Sequence, residues 1–173
     1  MPTLPTSSST SEQLLRCDLR ILPLDPRAEP PAYHSDLAAG LDLAAFLPDL
    51  PNGIVLNPII RGGTVVMVPT GFALAIPPGF EAQVRPRSGL ASKFAVTLAN
   101  SPGTIDADYR GEVRVPLINL GQSPYTILHG ARIAQMVIAP VARAQVLIVA
   151  QHDPTQRGTG GFGSTGTSRT RPG

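Results

Sequence analysis

Nineteen prolines and seventeen glycines are spread along this 173-residue chain, so apolar runs are soon interrupted by a residue that breaks helices and strand interiors. That punctuation predicts many short strands joined by tight turns. Candidate strands cover 14–22, 54–56, 64–68, 72–76, 81–85, 94–98, 112–119, 132–140 and 144–150. Two of them alternate visibly: Glu81, Gln83 and Arg85 share one face and Ala82 and Val84 the other, and Glu112, Val113, Arg114, Val115 repeats the pattern. Asn52-Gly53, Gly62-Gly63 and Pro77-Pro78-Gly79 are turn sequences. Only 35–46 has helix-friendly composition, with Gly40 in its middle. An all-β sandwich or barrel is expected, as one domain over 12–152. Residues 1–11 form a Ser/Thr/Pro-rich tail expected to be disordered, and 153–173 a polar Gly-rich arm expected to be flexible.

Charge narrows the function classes. The formal net charge is +2, and Lys93 is the sole lysine among fourteen basic residues, which disfavours nucleic-acid and membrane-surface partners. Arginine, whose planar fork grips phosphate or carboxylate through two bonds, leaves a small anionic ligand open, with plain codon bias towards arginine as the alternative reading. The single cysteine, Cys17, cannot form an intrachain disulfide and points to a reducing compartment. No run is long enough for a membrane-spanning helix, and the N-terminal residues lack the pattern of a secretory signal, so a cytoplasmic location is expected. His34, His129 and His152 lie far apart, at no metal-ligand spacing, so a metal would arrive with a ligand.

Five short stretches carry side chains capable of chemistry. AAGLDL (38–43) sets Asp42 between two leucines, where a turn or capping role is the plain reading. PRSGLASK (86–93) follows an alternating strand and gathers Arg87, Ser88 and Lys93 around a turn glycine, Gly89, as an anion grip or a solvated hairpin end. GTIDADYRGEV (103–113) places Asp106 and Asp108 two apart, on one side of an extended backbone, followed by Tyr109 and Arg110. The pair could supply a general base, hold a hydrated metal, or make an Asx turn with a salt bridge to Arg110. In ARIAQM (131–136), Gln135 shares strand parity with Ile133 and Val137, an amide on an apolar stripe that needs backbone or ligand partners. RGTGGFGSTG (157–166) combines Arg157, Phe162 and Ser164 with glycines whose backbone N–H groups can approach an anion, although flexible linkers look similar.

Taken together and in order, these five stretches resemble the five motifs of the trimeric dUTPase family. The resemblance implies a jelly-roll-like β fold, a homotrimer with active sites at subunit interfaces, and hydrolysis of dUTP to dUMP and pyrophosphate. Carried over by position, Asp106 is the base that orients and deprotonates the attacking water. Asn100 contacts uracil, backbone of the same hairpin reads the uracil edge, and Tyr109 packs under the deoxyribose where a 2′-hydroxyl would not fit. Arg87, Ser88 and Gly89 hold phosphate, as does Gln135. Phe162 stacks on uracil, while Arg157, Gly163 and Ser164 close over the terminal phosphates. Mg²⁺ would come mainly with the triphosphate, with Asp42 as outer-shell or structural support. Departures are Ala107 where serine is usual and a longer loop at 48–63. Rival readings are a dCTP deaminase-like enzyme, which typically has Arg-Ser-Ser where this chain has Arg87-Ser88-Gly89, and a non-catalytic nucleotide-sensing trimer.

Overall fold

The structure is a computed structural model that describes residues 16–160. It divides between Ala142 and Arg143 into two compact units. The first contains all the regular structure described: β1 (Arg20–Pro23), β2 (Leu41–Ala44), β3 (Ile54–Leu56), β4 (Val66–Ala75), β5 (Phe80–Pro86), helix α1 (Ser88–Phe94), β6 (Val96–Leu98), β7 (Gly103–Ile105), β8 (Glu112–Asn119), β9 (Tyr125–Ile127) and β10 (Arg132–Pro140), with one turn of 3₁₀ helix at Ile59–Arg61. Two four-stranded sheets run in the orders β1-β4-β8-β6 and β2-β10-β5-β7, and β3 pairs with β9. Every strand pairing is antiparallel. This is an all-β sandwich of jelly-roll type.

Alternation decides which face each strand buries. In β8, Val113, Val115 and Leu117 point into the core while Arg114 points out; in β5 the buried pair is Ala82 and Val84. These side chains pack with Val68, Phe72, Leu74, Leu43 and Met136 in one apolar cluster. Each large apolar member contributes about 1.5–3 kcal/mol by leaving water. Buried polar groups are paired. Asn119 donates from Nδ2 to the carbonyls of Leu56 and Ser123, both at 2.9 Å, and accepts from the Gly121 N–H at 2.9 Å. Thr70 donates to the Val113 carbonyl at 2.6 Å.

Several expectations change. The 35–46 segment holds a strand, not a helix: Leu41 and Leu43 are buried and Asp42 faces outward in β2, because pairing with β10 overrides its helix-friendly composition. A helix forms instead over Ser88–Phe94, burying only Leu90 and ending at Ala95 in a left-handed conformation (φ 54°). So short an element leaves no periodic signature, and Gly89 is a helical residue, not a turn glycine. The runs at 64–68 and 72–76 belong to one strand, β4, which continues through Pro69 and Gly71 by a register shift between Pro69 and Ala73. Gly71 (φ 76°) supplies the left-handed residue there, and its N–H donates to Glu112 Oε1 at 3.0 Å. The 144–150 run, in the second unit, forms no strand, and Ile148 is 98% exposed. Strands β7 and β9, three residues each, were too short to register as apolar runs. The 1–11 tail and the start of the 14–22 run lie outside the described residues.

Candidate active site

The chain between β6 and β7 crosses from one sheet to the other, so residues 99–102 form an inter-sheet connection and not the hairpin expected there. Beside this crossing opens a cleft of about 260 Å³. Its walls come from both sheets: Val84, Thr104 and Ile105 on one side, Met67, Val113 and Pro116 on the other. Val84 and Val113 are buried, giving the cleft an apolar floor, whereas Asn100, Asp106 and Tyr109 line it as exposed side chains. Gly103 allows the close approach of Asn100, since a Cβ at 103 would sit 2.9 Å from Asn100 Nδ2.

Asp106 follows directly on β7, after which the backbone turns, with the Tyr109 N–H donating to the Asp106 carbonyl at 3.1 Å. The extended geometry expected at 106–108 is therefore replaced by a turn, and Asp106 lines the cleft while Asp108 does not. Arg110 donates to the carbonyls of Ala107 and Tyr109, both at 2.7 Å, so it braces the turn through backbone and not through the carboxylate salt bridge considered from sequence. The Tyr109 hydroxyl donates to the Glu112 carbonyl at 3.0 Å, tying the ring to the start of β8.

A second group of predicted residues assembles on the outer face of the other sheet. Gln135 of β10 stands in register with Asp42 of β2 and Arg85 of β5. A bulge between Arg132 and Ala134 lets Ile133 and Ala134 both enter the core, which breaks the parity assumed for Ile133 and Gln135. Gln135 is half-buried, and its amide donates to the Pro86 carbonyl at 3.0 Å. Asp42, 17% exposed, is surrounded by nitrogen groups: the guanidinium Nε of Arg87 lies 3.2 Å from Oδ1, and Arg132 Nη1 and the imidazole Nε2 of His34 lie 3.0 and 3.3 Å from Oδ2. Arg87 also donates from Nη1 to the Arg132 carbonyl at 3.1 Å, so two of its nitrogens are fixed. One carboxylate against two guanidiniums leaves this cluster net positive, which suits a phosphate ligand.

Ser88 and Gly89 are exposed at the start of α1, next to Arg87. Lys93 is at the far end of that helix and lines a different depression, with Gly121 and Tyr125, so it does not join Arg87. In the second unit Arg157 closes a turn, donating from Nε to the Gly160 carbonyl at 2.8 Å. Phe162, Gly163 and Ser164 lie outside the described residues. Arg132 and His34 were missed from sequence; the parity of β2 and β10 pointed at Asp42 and Gln135, but nothing local announced that Arg132 would reach across to the same carboxylate. Among the described residues, no three His, Cys, Asp or Glu side chains converge as a metal site. The carboxylates stand singly, a donor set that fits a hard, oxygen-seeking cation bringing its own phosphate and water ligands better than one caged by protein.

An antiparallel sandwich with an inter-sheet cleft, an exposed carboxylate at its rim and a separate arginine cluster describes a β-sandwich protein equipped to bind an anionic small molecule. A model of the dUTPase family matches residues 27–166. The chain is 57% identical over 136 residues, covering 79% of this chain and 86% of its relative, to a deoxyuridine 5′-triphosphate nucleotidohydrolase from Desulfotalea psychrophila. Among solved structures, the dUTPase of Staphylococcus bacteriophage 80alpha with dUPNHPP superposes with a TM-score of 0.75 at 25% identity, covering 87% of this chain and 99% of that one. The dUTPase of Staphylococcus aureus phage phi11 shares the fold, with a TM-score of 0.68 at 22% identity over 80% of this chain and all of that one. This chain belongs to the dUTPase family. It is an enzyme that hydrolyses dUTP.

Proposed function

We propose that Asp106 is the general base of dUTP hydrolysis, taking a proton from a water that attacks the α-phosphorus and yields dUMP and pyrophosphate. The observation that carries this reading is the grouping of Asp106 with Asn100 and Tyr109 on one cleft whose floor is apolar. The cleft is at the small end of ligand pockets, which run from about 300 Å³ upward, so a nucleoside would enter it and leave the phosphates outside. Asn100 and backbone groups of the neighbouring crossing read the uracil edge, and the Tyr109 ring lies beneath the deoxyribose. Water is a poor nucleophile beside a polyanion, and a carboxylate able to accept its proton addresses that difficulty.

Arg87, with Ser88 and Gly89, holds the phosphates, and Gln135 contributes from β10. Asp42 braces Arg87 through the Nε contact. When bound with the triphosphate, Mg²⁺ neutralises charge and fixes the phosphate chain. Arg157, Phe162, Gly163 and Ser164 complete the site from the C-terminal arm, with Phe162 stacking on uracil. The residues fall into two groups on one subunit, and a homotrimer that joins the cleft of one copy to the arginine cluster of another would build a whole site. In a cytoplasmic setting, which suits the lone Cys17, the reaction keeps uracil out of DNA and supplies dUMP for dTMP synthesis.

Hydrolysis in ¹⁸O-labelled water tests the point of attack. The label is expected in dUMP, and label in pyrophosphate would place the attack at the β-phosphorus and remove the role given to Asp106. Sedimentation equilibrium tests the assembly: a trimer mass is expected, and a fully active monomer would show that one subunit suffices.

A further inference from the structure

Six glycines among the described residues adopt left-handed backbone, which favours glycine, with φ between 51° and 85°: Gly53, Gly62, Gly71, Gly79, Gly130 and Gly158. Gly111 is not one of them, so nothing in its main-chain conformation excludes a side chain. What fills the space is the Tyr109 ring. A Cβ at position 111 would collide with Tyr109 Oη and stand 2.7 Å from Cζ and 3.1 Å from Cε2. The first two are closer than non-bonded atoms approach, and the third is tight against the roughly 3.5–4.0 Å of a favourable carbon contact.

Tyr109 is 46% exposed, and what a Cβ at 111 would meet is the end of its side chain and not backbone. A side chain at 111 would therefore be accommodated by displacing the ring, while the strand that begins at Glu112 keeps its pairing with β4 at Ala73. Displacement would also break the bond from the Tyr109 hydroxyl to the Glu112 carbonyl.

We propose that Gly111 is a specificity-determining residue of the hydrolysis: by presenting bare backbone it lets the Tyr109 ring lie flat at the cleft rim, and so sets the discrimination between deoxyribo- and ribonucleotides. The inference rests on the reading of Tyr109 as the ring beneath the sugar. Gly111 touches no substrate atom and is a positioning residue. Exclusion of one hydroxyl by packing requires the ring to remain in van der Waals contact with the sugar, and a ring swung away by a methyl group gives up that contact.

The test is the ratio of kcat/KM for dUTP to kcat/KM for UTP in the wild type, Gly111→Ala, Tyr109→Ala and the double variant, with melting temperatures as a control for folding. Gly111→Ala is expected to lower the ratio by about tenfold or more. Tyr109→Ala should lower it at least as far, and Gly111→Ala should then add nothing in the Tyr109→Ala background, because the two act through one ring. A ratio unchanged in Tyr109→Ala would defeat the sugar-packing reading and this inference with it. If Tyr109→Ala lost discrimination and Gly111→Ala kept it, the inference alone would fall. An equal loss for both nucleotides in Gly111→Ala would make the glycine merely structural.

Discussion

The cleft at 100–116 and the cation cluster around Asp42 are built in opposite ways. In the cleft, Asn100, Asp106 and Tyr109 come from one short stretch of chain, held by turns and by backbone acceptors such as the Glu112 carbonyl. In the cluster, Asp42 comes from β2, Arg132 from β10 and Arg87 from the residue directly after β5, and they meet only because those strands are neighbours. The cleft presents exposed side chains that are free to react. The cluster presents guanidiniums already constrained by a shared carboxylate. One region is suited to chemistry and the other to binding, and variants in each should divide accordingly.

Asp106→Asn puts the heaviest load on that division. It removes the proposed base while retaining shape, and kcat should fall by roughly 10²–10⁴ with KM little changed, as read by steady-state pyrophosphate release. A kcat within a few-fold of the wild type would move the base elsewhere. Asp42→Ala breaks the cluster from its centre. Loss of charge-assisted bonds worth about 1.5–3 kcal/mol should cost roughly ten- to a hundredfold in kcat/KM, carried mainly by KM, and partly recovered in Asp42→Asn. A defect confined to kcat would place Asp42 with the chemistry instead of the grip.

Asn119→Ala sharpens the contrast from outside both regions. It leaves the Leu56 and Ser123 carbonyls and the Gly121 N–H without their shared partner, so the urea midpoint should drop by the equivalent of about 1–3 kcal/mol while the kcat of folded protein is retained. The smallest effect concerns a surface pair. The Arg27 side chain, donating to Asp25, and next the Arg27 backbone N–H pull the Asp25 carboxyl from 3.8 down to about 2. A folded pKa below the unfolded one means that the pair's contribution is present above about pH 4 and is lost as pH falls towards 2. Carboxyl chemical shifts should place the Asp25 midpoint near 2 and return it towards 3.8 in Arg27→Ala, with activity unaltered.

The same contrast explains what could be read in the sequence. The punctuation by Pro and Gly and the alternation in 81–85 and 112–119 reveal an all-β chain, because those signals are local. Asp106 and Tyr109 were legible because they fall in one short polar stretch, while Asn100 was found only through the resemblance to the dUTPase motifs. The cation cluster was legible only in pieces: Asp42 and Gln135 stood out as polar residues among apolar ones, but Arg132 and His34 acquire meaning only through the register of β10 with β2. The bulge at 132–134 defeats parity counting there, and the left-handed Gly71 hides the continuity of β4 in the same manner. Neither irregularity is written in composition.

The passage of the chain from β6 to β7 across the two sheets has a thermodynamic corollary. A molecule seated against Val84 of one sheet and Val113 of the other rivets the two layers of the sandwich together beside that passage. Since only the closed sandwich possesses that seat, occupancy must raise the melting temperature, by an amount that grows as RT ln(1 + [L]/Kd). A calorimetric scan with a slowly cleaved nucleotide would thus register the crossing as heat stability.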